Sequence, residues 1–290
     1  MIGAGQDDPL WPVLQACARR FERRSRDYEV QSHAPRVTSV QLQADLIASL
    51  PRGRLRGLCV QVIDPSASQA ALDSLRNDGM VVVTLLKRLD TPGHFLHSGV
   101  DEHELGAALA DALAALVESP GTVGTLEAKA QHDLRRRAQG FHARIGRYPR
   151  LTLLRELDCS QDPSVSAKMM QRTMERFAGL DGWAIMDNWP LRQGLGTHRL
   201  LPDSCRLVAP GPLANVAELI RTGQVDAVVL ADYDDMVNKA LQACAVTLDG
   251  ELPLFREYNS TLLTVTADTL PEFQQRWKQW TQISEPAEQK

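Results

Sequence analysis

Short apolar runs that each end on a polar residue or a small polar cluster set the strongest constraint on this chain. Three of them are Val60-Gln61-Val62-Ile63-Asp64, Val81-Val82-Val83-Thr84-Leu85-Leu86-Lys87-Arg88 and Gly182-Trp183-Ala184-Ile185-Met186-Asp187-Asn188. A strand buried on both faces reads as a near-continuous apolar run, the mark of a parallel sheet. Between the runs lie stretches with helical spacing, such as Val13, Leu14, Cys17 and Phe21, or Leu134, Ala138, Phe141 and Ile145. Strands that alternate with helices imply right-handed βαβ crossovers. Ligands of open α/β sheets sit beyond the carboxyl ends of the strands, so the polar residues at those ends are candidate ligand contacts.

The spacing predicts helices over about 9–24, 40–50 and 66–76, and strands over 28–31, 58–63, 80–86 and 95–100. Asp101 with Glu104 has the pattern of a capping box for a helix through Leu105, Leu109, Leu113 and Leu116. The cadence then restarts near Gly121. Strands are predicted at 123–126, 151–157, 183–188, 206–209, 227–230 and 261–265, with helices from Asp162-Pro163, after Asp234 and over 271–280, and a polar tail from 285 that is expected to fray. So many strands exceed one compact sheet. The expected fold class is therefore α/β with two doubly wound parallel-sheet lobes, 1–101 plus 232–258 and 102–231 plus 259–290. A TIM barrel shares the alternation but not the mid-chain break.

Composition narrows the function. With 290 residues, 43% hydrophobic and 23% charged, the chain can fill one large core or two medium ones. A net charge of -4 and a pI near 6.0 argue against a nucleic-acid surface, and Arg135-Arg136-Arg137 is too short a basic run to reverse that. Five cysteines (Cys17, Cys59, Cys159, Cys205 and Cys244) stand far apart with no C-x-x-C pair, and the seven histidines fall in no ligand spacing. Neither a metal, a cofactor nor a disulfide framework is expected. No apolar run has the length of a membrane span, and no signal peptide is visible. The opening Met1-Ile2-Gly3-Ala4-Gly5 looks like the end of a first strand, so an upstream leader or domain is expected to have been removed. An enzyme is not expected: Gly3-Ala4-Gly5 has Asp8 where a dinucleotide fingerprint needs its third glycine, and no Gly-x-Ser-x-Gly elbow occurs.

An ordered series of residues resembles a known family. Asp7-Asp8-Pro9-Leu10-Trp11, Asp64-Pro65, Thr84-Leu85-Leu86-Lys87, Asp101 with Gly106, Arg135-Arg136-Arg137-Ala138-Gln139-Gly140-Phe141 and Asp187-Asn188 look like the ribose-type periplasmic sugar-binding proteins. The same fold is the effector domain of LacI-type repressors. The resemblance implies a type I fold with a multi-segment hinge near Asp101, Asp232 and Tyr258, closing on a sugar between the lobes. Position by position, Asp8 stands for a sugar-contacting asparagine, Trp11 for a stacking aromatic, and Asp64 for a polar strand-end residue. Lys87 replaces an arginine, Arg135 matches the ligand arginine, and Arg137 the arginine three residues before Gly-Phe. Asn188 matches a ligand asparagine, and Asp232 lies beside Ala231, which replaces a hinge glutamine. Leu86, Cys159 and Pro210-Gly211 also depart from the pattern, replacing a carboxylate, an aromatic and a Phe-Asp pair. These departures point away from ribose or galactose, towards a different ligand or a site no longer used for sugar.

Each of these residues has a local alternative. Asp8, Asp64 and Asp101 suit helix N-caps, Trp11 suits a core, Arg135 a solvated helix face, Asn188 a strand-end turn, and Asp232 a crossing segment. The expected ligand set is Asp8, Trp11, Asp64, Lys87, Arg135, Asn188 and Asp232. The expected function is capture of a small polar solute, a carbohydrate, for an ABC-type uptake transporter. The protein would then be an extracytoplasmic monomer whose partner is a membrane permease, with no nucleic-acid partner. The alternative is an effector-sensing domain of a transcriptional regulator, which would be cytoplasmic, or of a membrane receptor.

Overall fold

The computed structural model describes residues 1–25, 27–89, 95–118, 120–159, 163–176, 179–191, 201–212 and 215–282. The chain divides into two compact units. Unit 1 is Met1–Val100, Asp232–Thr261 and Gln275–Lys290, and unit 2 is Asp101–Ala231 and Leu262–Gln274.

Unit 1 begins with α1 (Trp11–Ser25), α2 (Val40–Ala48), β1 (Gly57–Gln61), α3 (Pro65–Asn77), β2 (Val81–Leu86) and β3 (Leu96–Gly99). Unit 2 continues with α4 (Glu102–Leu116), β4 (Gly121–Glu127), α5 (His132–Ile145), β5 (Leu151–Asp158), α6 (Pro163–Arg176), β6 (Gly182–Ile185), β7 (Arg206–Pro210), α7 (Val216–Arg221) and β8 (Ala227–Ala231). The chain returns to unit 1 with α8 (Tyr233–Leu248) and β9 (Glu257–Asn259). It then gives unit 2 the strand β10 (Leu262–Thr266) and ends in α9 (Leu270–Thr281). Among the described residues no helix is long and apolar enough to cross a membrane.

In unit 1 the sheet order is β1-β2-β3-β9, all parallel. Ile2 extends it beyond β1 through parallel bridges to Val60 and His33. The predicted strand at 28–31 is not formed; the pairing there is the single bridge at His33, with Met1 O accepting from His33 N at 2.9 Å. From Ile2 the chain pairs first on one side, at His33, and then on the other, at β1. That reversal is a topological switch point.

Alternate side chains of these strands bury on opposite faces. Leu58, Val60 and Val82 join Ile47, Leu72 and Leu75 of α2 and α3 in one core, while α8 covers the other face. Each large aliphatic chain so buried contributes roughly 1.5–3 kcal/mol.

Unit 2 has the order β10-β8-β7-β6-β4-β5. Its strands are parallel except β10, which runs antiparallel to β8. The all-parallel expectation fails here because a short connection from β9, rather than a crossover helix, delivers β10. The reversal falls between β4 and β6, with β5 on the far side of β4. Trp183 and Phe141 are fully buried in the core.

One expected boundary is corrected. The sequence places residues 259–290 together in the second lobe, but 259–261 count with unit 1, and so do the residues from Gln275 on. Two contacts hold them there. The Trp280 ring meets Tyr233 edge-on, and the Arg20 guanidinium donates to the carbonyls of Trp280 and Gln282 at 3.0 and 2.9 Å. The predicted fraying tail lies outside the described residues.

Candidate ligand-binding site

Two buried glutamines organise the switch point of unit 1. Gln61 interrupts an apolar strand and Gln43 lies on α2; they are 4% and 1% exposed. Buried amides must find partners, and these do. Gln61 Oε1 accepts from Ala4 N at 3.1 Å, and its Nε2 donates to Asp8 Oδ1 at 3.1 Å. Gln43 Nε2 donates to the carbonyls of Gly3 and Gln61 at 3.1 and 2.7 Å, and its Oε1 accepts from Ile63 N at 3.0 Å. Asp8 Oδ1 also accepts from Leu10 N at 2.9 Å. The carboxylate of Asp8 is therefore aimed by fixed backbone and side-chain donors, and it stays half-exposed. Such a group can accept charge-assisted hydrogen bonds from hydroxyls.

Trp11 opens α1 and is 8% exposed. Its ring lies over the backbone of Gly3, where a Cβ would come within 2.6 Å of Cε3. The structure thus gives Trp11 a packing role, with little face left for stacking on a ligand.

Asp64 caps α3, accepting from Ser66 N and Oγ at 2.8 and 2.6 Å and from Ala67 N at 3.2 Å. The Ser66 hydroxyl, helped by the two backbone donors and the charge of Lys87, holds its carboxyl below the ordinary value against the opposing effect of burial, which is second only to the hydroxyl. Lys87 follows Leu86, whose φ of 66° is the left-handed conformation that costs a side-chain-bearing residue about 1–2 kcal/mol. The turn brings Lys87 Nζ to the carbonyl of Ile63 at 2.8 Å. Asp64 and Lys87 are thus neighbours at the carboxyl ends of β1 and β2, close in sequence to the Gln61 network.

Asp232 caps α8 by accepting from Asp235 N at 3.1 Å, and Arg276 lies 3.5 Å from its other oxygen. Burial raises its carboxyl above the ordinary value, although the Asp235 N–H and Arg276 pull the other way. Its contacts belong to the end of β8 and the start of α8, apart from the Asp8–Gln61 network.

In unit 2, Arg135 is exposed on α5, whereas Arg137 is buried. Arg137 donates from Nε and Nη2 to Glu102 Oε2 at 2.7 and 2.6 Å, and from Nη1 to the carbonyl of Met186. Burial opposes its charge, but Glu102 and Asp187 outweigh that and raise its pKa. Burial also lifts the Glu102 carboxyl above its ordinary value despite Arg137. Asn188 is buried and donates from Nδ2 to Pro212 O at 2.6 Å, and its N–H bonds Asp187 Oδ1 at 2.6 Å. Arg137, Asp187 and Asn188 thus gather where β6 ends, beside the second switch point. Asp101 is an N-cap, accepting from His103 N and Glu104 N at 2.8 and 3.3 Å.

A family model described as the periplasmic binding protein domain matches residues 1–252. The chain belongs to that family. No curated protein matches it by sequence.

Solved structures of periplasmic binding proteins share its fold. A sugar-binding protein of a sugar ABC transporter from Bacillus halodurans matches with a TM-score of 0.79 at 15% identity, covering 94% of this chain and 98% of that one. A periplasmic ribose ABC transporter protein from Conexibacter woesei DSM 14684 gives 0.78 at 15% identity, covering 97% and 96%. A periplasmic solute-binding protein from Actinobacillus succinogenes 130z, solved with D-allose, gives 0.74 at 13% identity, covering 93% and 98%. The expected type I fold of a periplasmic binding protein therefore holds.

Sequence reasoning missed Gln43 and Glu102 in this periplasmic binding protein domain. Gln61 carried a visible signal, a polar residue inside an apolar run. Gln43 carried none, because a single polar residue on an amphipathic helix is ordinary.

Proposed function

We propose that this chain is a solute-binding protein that captures a small polar molecule, a carbohydrate, for an ABC-type uptake transporter, and that it acts outside the cytoplasm. The observation that carries this reading is membership of the periplasmic binding protein domain family over residues 1–252. The geometry supports it: oriented carboxylate and amide groups stand at the strand-end switch points of each unit, where open α/β sheets take their ligands. Asp8, Asp64 and Lys87 supply hydrogen-bonding groups from unit 1, and Arg135 and Asn188 from unit 2. Asp8 and Asn188 are the best-oriented members of this set. The regulator reading is less favoured, since the similar structures named above are transport proteins.

A thermal-shift screen against a broad panel of pentoses, hexoses and polyols tests this. A true ligand raises Tm in proportion to the logarithm of its excess, by about 2.7 kcal/mol of stability at 100 times Kd. Asp8→Asn should weaken the response while the ligand-free melt changes little, because the amide keeps an oxygen for Gln61 and Leu10. Asn188→Ala should weaken it too, with a lowered ligand-free Tm from the lost bond to Pro212. A panel that shifts nothing would overturn the carbohydrate assignment.

A further inference from the structure

Where α5 lies against β4, unit 2 carries a group of side chains that the ligand-binding reading does not use. Glu127 ends β4 and is 2% exposed, His142 lies on the third turn of α5, and Glu156 is exposed on β5. One donor atom from each lies within 4.8 Å of the other two. His142 Nε2 and Glu127 Oε1 are already 2.7 Å apart. We propose that Glu127, His142 and Glu156 form a binding site for a zinc ion.

Three observations carry this. The donor set, one imidazole and two carboxylates, matches zinc's preference for nitrogen and oxygen ligands at about 2.0–2.2 Å. Donors on one tetrahedral ion stand roughly 3.3 Å apart at those bond lengths, so small side-chain rotations that part the 2.7 Å His142–Glu127 pair and draw in Glu156 form the set. Magnesium and calcium instead want six or more oxygens, which this corner does not offer.

The place also already attracts a cation. The Lys129 ammonium sits 3.3 Å from Glu156 Oε2 and 3.9 Å from Glu127 Oε2. Its side chain is 49% exposed, free to swing into water when an ion takes its place. Finally, the buried ligand is oriented from outside the set, since Thr125 Oγ1 donates to Glu127 Oε1 at 2.7 Å. Outer hydrogen bonds of this kind fix ligand geometry in metal sites.

The three ligands are far apart in sequence, on a strand, a helix and a second strand. Only the fold brings them together, which is why spacing alone suggested no histidine as a ligand.

Isothermal titration of tag-free, chelator-stripped protein with zinc chloride tests the site. One zinc ion should bind per chain, with no matching signal from magnesium or calcium. His142→Gln and Glu156→Gln should each weaken binding at least about tenfold, the lower end of what losing even an outer-shell partner costs, and Lys129→Ala should tighten it. Glu156 is exposed, so its variant tests the site even if the His142 variant folds poorly. Absence of zinc binding, or an affinity unchanged in Glu156→Gln, overturns the proposal; the latter would place the ion on surface histidines such as His103 or His132.

Discussion

Gln61 performs two tasks with one amide. It satisfies the buried N–H of Ala4 and steadies Asp8. Replacing it with leucine keeps the apolar strand but strands the Ala4 donor, at a cost of about 1–3 kcal/mol. Urea unfolding of Gln61→Leu should show that loss, and the variant's response to any sugar ligand should fall with it.

Asp64 gives a second residue-scale test. As a helix cap it is worth about 1 kcal/mol against alanine. Its carboxyl is more acidic folded than unfolded, so the unfolded chain holds the proton more tightly. The contribution is therefore complete above the unfolded value of about 3.9 and fades as pH falls through the lower folded value. Stability curves of the wild type and Asp64→Ala should run apart at neutral pH and converge in acid.

These residues also mark how far the sequence reached. Asp64 and Asp101 were legible as caps because an N-cap is a local device. The resemblance implied stacking for Trp11, but its environment, the bare backbone of Gly3, belongs to tertiary structure.

At the scale of elements, the contact between α4 and α5 sets the position of Arg137. The two helices approach so closely that a Cβ at Gly106 would lie 1.8 Å from Arg137 O, and one at Gly140 would lie 1.9 Å from His103 O. Backbone cannot yield as a flexible side chain does. Gly106→Ala must push the helices apart, breaking the reach from Arg137 to Glu102. We expect a loss at or beyond the upper end of the roughly 1–3 kcal/mol typical of overpacking, read as a lowered midpoint in urea. The helices themselves were plain in the sequence, since their apolar spacing repeats over three or four turns. β9 was not: Glu257, Tyr258 and Asn259 are too short and too polar a run to announce a strand, and pairing with β3 alone makes them one. The direction of β10 was equally hidden, because an apolar strand reads the same whichever way it runs.

The whole molecule has two units because the strand–helix cadence runs twice, and the restart near Gly121 made that visible. The return of the chain to unit 1 from Gln275 on was not visible, since the Arg20 and Tyr233 contacts that hold it span more than two hundred residues and about fifty residues respectively. Unit 2 is nearly continuous, whereas unit 1 is collected from three stretches of chain. That difference has a consequence in time. About 130 residues separate β3 from α8, and at synthesis rates of about 5–20 residues per second roughly 7–26 s pass between them. Throughout that interval one face of β1, β2 and β3 lacks the helix that covers it. Chains truncated at residue 231 should therefore resist limited proteolysis within 101–231 and be digested within 1–100; equal protection of both stretches would show that the first stretch folds without α8. The part of this protein made first is the part finished last.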